Sequence, residues 1–367
     1  MAHSLLHGEH IRKIGIVRGG RMGEFFLTYP ALAAVRNRYP DAELVLFGDD
    51  WQKGFLQHYP DVVDGVEVLP MYAPFDRAIK EPSLKRFINH MAKEQFDLIL
   101  QLQDDGADTN PLVRAMSPRI SAGYAALEAE PLDVTLPYVT HQHETLRAFE
   151  LLSVLGIDGA ALQPSFPLKP TDHTGYADYY HPDGREVIIL NPGADDPRHR
   201  WSPEAFAEVG DYFSRQGFRI IITASIIEHT IAESVLYVME EPAEALVGVL
   251  SLPAMLALFS KARLVISNDT GPLYAAQAVG AATVGLFWGL NLLHAGPLFG
   301  RRHRTLTSWQ LHCPQCGDDT LFDEWPQTLP SPGGCKHDRS LLDEIEPADV
   351  IDTTERLLLD TVTGLSM

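Results

Sequence analysis

The chain has few cysteines, no long apolar run and a shortage of positive charge. Only three of its 367 residues are cysteine, and this small number fits a reducing compartment better than a disulfide framework. No run reaches the roughly 18 apolar residues that a membrane helix needs. The first ten residues also lack the apolar core of a signal peptide. We therefore expect a cytoplasmic protein without a transmembrane segment.

The charge balance is acidic, with 49 Asp and Glu against 29 Lys and Arg and a formal net charge of −20. A nucleic-acid partner is normally met by a basic face, so general nucleic-acid binding is excluded. An anionic substrate would need a local cationic cluster, for which residues 12–21, 198–200 and 301–304 are candidates. The hydrophobic content of 45% is that of an ordinary globular protein.

The loop after the first apolar run lacks the G-x-G-x-x-G spacing of a dinucleotide-binding protein. It reads Arg18-Gly-Gly-Arg21-Met-Gly-Glu24, which weakens the interpretation as a nicotinamide-dependent oxidoreductase. The loop instead places Glu24 at the start of a predicted helix, behind flexible glycines. A glutamate in a first helical turn also has an ordinary explanation, since the helix dipole stabilises it.

Short apolar runs alternate with amphipathic helical patterns, which predicts parallel sheets covered by helices. The predicted strands are residues 13–17, 42–47, 96–102, 187–190, 219–223, 264–266 and 283–287. A proline-rich polar stretch at 164–185 interrupts the alternation. We expect an α/β protein with two Rossmann-like domains, residues 1–170 and 171–345, facing a central cleft. A last helix is predicted within residues 346–367.

The most informative motif is Ser267-Asn268-Asp269-Thr270-Gly271-Pro272-Leu273, which links a predicted strand to a helix of small residues. Asp269 or Thr270 can cap this helix, Gly271 permits close approach of a ligand, and Pro272 suits the first turn. Together with the helix dipole, the free N–H groups of such a turn favour phosphate. The motif predicts a site for a phosphorylated ligand.

Two further strand ends carry polar residues that suit a nucleotide. Asn191-Pro-Gly193 is followed by Arg198 and Arg200, whose guanidinium groups fit phosphate oxygens, although helix-entry chemistry also explains this stretch. The loop after the next strand contains Glu228, whose carboxylate could accept hydrogen bonds from ribose hydroxyls.

The three cysteines form a pattern with metal-ligand spacing. Cys313-Pro-Gln-Cys316 is followed by Cys335-Lys-His337, and thiolates with imidazole can hold structural zinc or iron. An ordered loop with reduced thiols is the alternative.

Taken together, these motifs resemble glycosyltransferase family 9, the ADP-heptose:lipopolysaccharide heptosyltransferases, over nearly the whole chain. The most specific match is Asn268 to Pro272 with the alanine-rich helix after it and the Leu-Phe-Trp-Gly289 turn. The other similar blocks are Met22 to Leu32, Phe96 to Gln103, His141 to Ile157, Asn191 to Gly193 and Arg200 to Phe206. The resemblance implies the two-domain GT-B fold and no required cofactor. It also implies that the last helix, within residues 346–367, packs back on the first domain.

The resemblance also implies the reaction: transfer of a sugar from a nucleotide diphosphate, with ADP as the expected nucleotide, to a glycan hydroxyl with inversion. Glu24 matches the general base, which is usually Asp in the family. Arg198 or Arg200 would replace the usual cationic lysine, where this chain has His199. The donor-binding residues implied are Asn191, Gly193, Glu228, Asp269, Thr270, Gly271 and Pro272.

The acceptor is expected to be a glycan or lipid-linked glycan such as lipopolysaccharide core, which would bring the enzyme into peripheral contact with the inner membrane. Candidate acceptor contacts are Arg18, Arg21 and Gln103. The second hypothesis is a catalytically impaired sugar-nucleotide or glycan-binding protein on the same scaffold.

Overall fold

The computed structural model describes residues 6, 10–70, 81–158, 161–163, 165–177, 183–317 and 337–363. The chain divides into two compact units, residues 1–162 and 163–367. The division lies a few residues before the predicted boundary at 170. Part of the predicted linker belongs to the second unit, because the Phe166 N–H donates to Ala278 O at 2.7 Å.

The first unit contains a six-stranded sheet in which all neighbouring strands run parallel. Its strands are β1 (Lys13–Val17), β2 (Glu43–Gly48), β3 (Gly65–Val68), β4 (Leu98–Gln101), β5 (Ile120–Ala125) and β6 (Val134–Pro137). Their order across the sheet is β3-β2-β1-β4-β5-β6. From β1 the chain first adds strands on one side of the sheet, and from β4 onward it adds them on the other side. We call the place between β1 and β4 the change of direction of the sheet. Ligands of such sheets bind at the carboxyl ends of the strands beside it.

In the described residues of the first unit, four α-helices connect these strands and a fifth follows β6. They are α1 (Met22–Arg38), α2 (Asp50–Leu56), α3 (Glu81–Met91), α4 (Thr109–Ala115) and α5 (Glu144–Val154). α1 follows the expected sequence rules, with Glu24 in its first turn and Arg36 and Arg38 in its last turn, although it contains Pro30. α5 packs against α1, which brings its first residues beside the loop after β1.

The second unit repeats the same winding. Its strands are β7 (Val187–Asn191), β8 (Arg219–Ala224), β9 (Ala243–Val247), β10 (Leu264–Asn268), β11 (Thr283–Trp288) and β12 (His303–Ser308). They are parallel in the order β12-β11-β10-β7-β8-β9. The change of direction therefore lies between β7 and β10, where Asn191 and Asn268 end their strands.

Six α-helices lie in the described residues of the second unit. They are α6 (Pro203–Arg215), α7 (His229–Val238), α8 (Leu252–Lys261), α9 (Gly271–Ala278), α10 (Gly289–Ala295) and α11 (Pro347–Thr363). Val350 and Leu357 of α11 are fully buried in the core of the second unit, where α11 packs on α6, β11 and β12. The final helix thus packs on the second domain, because its apolar stripe is buried there. Packing on the first domain, which the resemblance implies, stays a prediction.

Across the described parts of the chain, no helix combines the length and apolarity that a bilayer span requires.

Candidate active site

The loop after β1 is held in one conformation by its neighbours. Gly20 has a φ of +94°, a backbone conformation that favours glycine. Its N–H donates to Asp49 Oδ2 at 2.6 Å, and its carbonyl accepts from Trp51 Nε1 at 2.9 Å. Gln52 Nε2 donates to Arg18 O at 3.0 Å from the same side. The loop after β1 is therefore held in place by hydrogen bonds from and to residues that follow β2.

Glu24 lies directly against this loop. A Cβ at Gly20 would overlap the Glu24 carboxylate, so only glycine leaves room for this carboxylate. Glu24 is the third residue of α1, and its side chain is 42% exposed. Arg18 Nη2 lies 4.0 Å from Glu24 Oε2. The predicted base is thus a partly solvated carboxylate at the change of direction of the first sheet.

Arg18 is buried, with 1% of its surface exposed. Its Nη1 donates to Leu102 O and Gln103 O at 2.8 and 3.1 Å, and its Nη2 donates to Glu24 O at 3.2 Å. The same Nη2 forms an ion pair with Glu144 Oε2 at 3.3 Å. This guanidinium is committed to atoms of the protein itself, so the structure does not place Arg18 where it could contact an acceptor.

Arg21 and Gln103, the other two predicted acceptor contacts, lie at the same end of the sheet. Arg21 is exposed and precedes α1 as its N-cap residue. Gln103 follows β4, and its Nε2 would lie 3.5 Å from a Cβ placed on Gly20. Within the described residues, its buried Oε1 has no hydrogen-bond partner. Both residues flank the Gly20 loop that carries Glu24.

Asp49 is a site residue that the sequence analysis missed. Burial raises its pKa, the hydrogen bond from Gly20 opposes the rise, and the charge of Glu24 adds to it. Its buried Oδ1 has no hydrogen-bond partner among the described residues. The available signal was its position directly after β2, as the cap of α2 paired with Gln52.

The second sheet carries two buried asparagines at its change of direction. Asn268 is fully buried; its Nδ2 donates to Pro192 O at 2.8 Å, and its Oδ1 accepts from the Trp201 N–H at 3.2 Å. Asn191 Nδ2 donates to Thr223 O at 2.9 Å. The side-chain amides thus join the end of β7 to β8, and the end of β10 to the segment that follows β7. Asn268 was quoted as part of a motif but not predicted as a site residue.

Gly193 and Glu228 come into direct contact. Glu228 Oε2 accepts hydrogen bonds from the N–H and Oγ of Ser225, at 3.0 and 2.6 Å, in a capping box. A Cβ at Gly193 would lie 2.5 Å from Glu228 Cδ, so the glycine is needed for this contact. The structure thereby brings together two predicted donor-binding residues from different loops.

The Asp269-Thr270-Gly271-Pro272 turn opens α9 as predicted, but without side-chain capping. Thr270 occupies the N-cap position in an extended conformation and makes no side-chain cap hydrogen bond. The Asp269 carboxylate instead accepts a short hydrogen bond from the Tyr274 hydroxyl. Burial, together with the charge of Asp269, raises the pKa of Tyr274, so this hydroxyl keeps its proton. Because the side chains leave them uncapped, the N–H groups of the first turn suit an anion.

Two arginines precede Trp201, which is buried as predicted. Arg198 Nη2 lies 2.7 Å from Asp196 Oδ2. Burial alone would raise the pKa of Asp196, but hydrogen bonds from Arg198 outweigh it and lower the pKa. Arg200 donates through Nε and Nη2 to Ala194 O at 2.8 and 2.6 Å. Arg198 is thus neutralised by a carboxylate, whereas Arg200 donates these two hydrogen bonds to an uncharged carbonyl.

Three of the four predicted metal ligands converge. The ligand atoms of Cys313, Cys316 and His337 all lie within 4.8 Å of one another. Cys313 is buried, and its Sγ lies 3.7 Å from His337 Nδ1. The fourth predicted ligand, Cys335, lies outside the described residues. Two thiols and an imidazole at this spacing fit the donor set that zinc or iron prefers.

Comparisons with known proteins identify the family of this chain. A model of the family described as glycosyltransferase family 9 (heptosyltransferase) matches residues 84–320. Lipopolysaccharide heptosyltransferase 3 of Escherichia coli is 23% identical over 371 residues, covering 94% of this chain and 99% of the relative.

Two solved structures are similar over nearly their full lengths. The glycosyl transferase family 9 protein of Veillonella parvula matches with a TM-score of 0.76 at 20% identity, covering 95% of this chain and 97% of that one. The ADP-heptose lps heptosyltransferase II of E. coli matches with a TM-score of 0.72 at 15% identity, covering 95% and 99%. The family model spans more than half of the sequence, and the structures confirm the predicted GT-B fold. The chain belongs to glycosyltransferase family 9, the heptosyltransferase family, and is a glycosyltransferase.

Proposed function

We propose that this glycosyltransferase moves heptose, or a closely related sugar, from an ADP-linked donor to a hydroxyl group of a cell-surface glycan such as lipopolysaccharide core. The name of the E. coli relative supports the acceptor class, and that of the E. coli fold neighbour supports the donor. The observation that carries the proposal is the position of Glu24, a partly exposed carboxylate against Gly20 at the change of direction of the first sheet.

The donor binds the second domain in this proposal. Glu228 accepts hydrogen bonds from ribose hydroxyls, because its carboxylate is already fixed against Gly193 and by Ser225. The diphosphate meets the first turn of α9 at Thr270 and Gly271. Arg200 is the cation that we assign to the departing diphosphate, since Arg198 is neutralised by its own carboxylate partner.

The chemical step follows from a single carboxylate acting as general base. Glu24 takes the proton from the acceptor hydroxyl as the hydroxyl oxygen forms a bond to the anomeric carbon. The bond from that carbon to the diphosphate breaks, and ADP leaves with the bonding electron pair. N–H groups of α9 and the Arg200 guanidinium stabilise the charge that develops on the leaving group. One displacement of this kind inverts the anomeric configuration.

The acceptor binds the first domain, where Arg21 and Gln103 flank Glu24. We do not assign Arg18 to the acceptor, because its guanidinium is buried and bound to main-chain carbonyls. An ADP-linked donor and a lipid-linked acceptor would place the reaction in the cytoplasm, with peripheral contact at the inner membrane.

We also propose that Cys313, Cys316 and His337 hold a structural zinc or iron ion, with Cys335 as the fourth ligand. No step of the transfer requires it. Elemental analysis of protein purified without chelators should find about one zinc or iron per chain, lost on Cys316→Ser. The absence of both metals from the native protein would overturn this assignment and leave the loop with reduced thiols.

The function is tested with ADP, UDP, GDP and ADP-heptose in calorimetric titrations, followed by assay with lipopolysaccharide core acceptors. Asp269→Asn should weaken ADP binding, with its melting temperature as the control for the Tyr274 contact. Glu24→Gln should keep donor affinity but lose about 100-fold to 10,000-fold in kcat. NMR of the product should show inversion at the anomeric carbon.

The alternative, a binding protein on the same scaffold, makes a different prediction. Wild-type protein would then bind ADP-heptose without transferring it, and Glu24→Gln would change neither result. Failure of ADP and ADP-heptose to bind would contradict the donor assignment itself.

A further inference from the structure

Two buried arginines share one carboxylate beside the Glu24 loop. Arg18 is 1% exposed and Arg147 is 4% exposed. Glu144, the first residue of α5, divides its two oxygens between them: Oε2 lies 3.3 Å from Arg18 Nη2, and Oε1 forms a short ion pair with Arg147 Nη1. Buried guanidinium groups require such a partner, because an unpaired charge in the protein interior is strongly unfavourable.

Arg18 connects this cluster to the segment that carries Glu24. Its hydrogen bonds to Leu102 O and Gln103 O hold the loop after β4, and its hydrogen bond to Glu24 O holds the first turn of α1. One guanidinium thus joins three segments at the carboxyl end of the first sheet. A displacement of Arg18 would move the main chain of the proposed base.

Arg147 fixes the other side of the cluster. Its Nη2 donates to Val139 O at 2.7 Å, and its guanidinium lies 4.3 Å from the ring centroid of Tyr138. Thr145 Oγ1 donates to Leu27 O at 2.7 Å, which ties α5 directly to α1. Glu144 therefore occupies a rigid position relative to α1 and can hold Arg18 in place.

The distances show how Arg18 is divided between two carboxylates. Arg18 Nη2 is 3.3 Å from Glu144 Oε2 but 4.0 Å from Glu24 Oε2. The closer partner compensates the charge of Arg18 and limits its attraction for Glu24. Without Glu144, Arg18 would be drawn to Glu24, and a carboxylate in a close ion pair is a poorer proton acceptor. Asp49 is a second carboxyl group near Glu24, and the charge of Glu24 contributes to the raised pKa of Asp49.

We propose that Glu144 is a positioning residue of the transfer reaction, which holds Arg18 away from Glu24 and so keeps the Glu24 carboxylate available to accept the acceptor proton. The inference rests on the proposed function, in which Glu24 is the general base. It concerns a residue that touches neither substrate and acts through Arg18.

The test compares kcat, the KM for the donor and the pH dependence of kcat in Glu144→Gln and wild type. Glu144→Gln should lower kcat by about tenfold, leave the donor KM unchanged and move the acid limb of the pH profile to lower pH. Glu144→Asp should restore part of kcat, because it returns the charge with a shorter reach. Glu150→Gln is the matched control: this exposed glutamate of α5 pairs with Gln142, so the variant should behave as wild type.

The shift of the pH profile separates positioning from a loss of folded protein, which lowers kcat without moving the profile. A Glu144→Gln enzyme with the kcat and pH profile of wild type would overturn the inference, provided that Glu24→Gln is inactive. An active Glu24→Gln enzyme would instead overturn the proposed function. Should Glu144→Gln fail to fold, Glu144→Asp with an unshifted profile and full kcat would refute the inference.

Discussion

A methyl group added at Gly193 tests whether Glu228 binds the donor. The added Cβ would lie 2.5 Å from Glu228 Cδ and 2.8 Å from Oε2, whereas ordinary contacts begin at 3.4 Å. The carboxylate would therefore have to retreat by about 1 Å. The backbone of Gly193 is not in the left-handed region, so alanine itself is tolerated there.

The energetic consequences for folding and for binding differ in size. Displacing Glu228 weakens its two hydrogen bonds from Ser225, which are exposed and contribute about 1 to 2 kcal/mol together. The lower entropy of the unfolded alanine chain offsets about 0.4 to 1 kcal/mol of that loss. Hydrogen bonds from ribose to a charged group are each worth about 1.5 to 3 kcal/mol, so the Kd for ADP should rise by about tenfold to 100-fold.

Calorimetric titration with ADP measures the affinity, and thermal unfolding measures the stability. Gly65→Ala is the control, because no atom lies within 4 Å of its added Cβ. The double variant Gly193→Ala with Glu228→Ala should bind ADP no more weakly than Glu228→Ala alone, since both changes remove one interaction. Wild-type affinity in Gly193→Ala would refute the assignment of Glu228 to the ribose.

Three further predictions concern stability. Asn268→Ala leaves the buried Trp201 N–H without its partner and should destabilise the second domain by about 2 to 4 kcal/mol; an unchanged melting curve would contradict this. Burial, aided by two flanking arginines, lowers the pKa of His303 from 6.5 to about 4. Because the unfolded chain takes up this proton first, stability is full above about pH 6.5 and falls by about 3 kcal/mol toward about pH 4. Denaturant titrations near pH 6.5 and near pH 4 measure the free energy of unfolding at each pH. His303→Gln should remove the loss of stability between them, and an equal loss in the variant would contradict the assignment to His303. Leu357→Ala, in a fully buried position of α11, should destabilise by about 2 to 5 kcal/mol, whereas Leu359→Ala, 65% exposed, should change stability by less than about 0.5 kcal/mol. Equal effects in denaturant would mean that α11 does not pack as described.

Most of the central strands were predictable, because burial on both faces leaves a continuous apolar run. β1 was predicted with the bounds that the structure has, and β7 and β11 within one residue. The edge strand β3, with the sequence Gly-Val-Glu-Val, was missed because it is short and mixed in character. β6, β9 and β12 were missed for the same reason: most of their residues are only partly buried, so their sequences show no strong pattern. The inner strand β5 was also missed, because its sequence Ile-Ser-Ala-Gly-Tyr-Ala contains small and polar residues instead of a continuous apolar run.

The site residues divide in a similar way. Gly20, Gly193 and the Asp269 to Pro272 turn follow strands, and local rules for strand ends and helix starts identify such positions. Asp49 has the same local signal but lies after β2, and its importance comes from a hydrogen bond to a glycine 29 residues earlier. Glu144 is more than 100 residues from Arg18, and no pattern in the sequence predicts their ion pair.

The sequence by itself determined the family, the two parallel sheets and most of the strand ends at which chemistry is expected. These depend on hydrophobic periodicity and on turn residues, which act over a few neighbouring positions. Only the tertiary structure decided that Arg18 is buried, that Arg200 rather than Arg198 keeps an uncharged partner, and that α11 covers the second domain. Burial and charge compensation depend on which distant segments pack together, and a contact between remote residues leaves no local pattern in the chain.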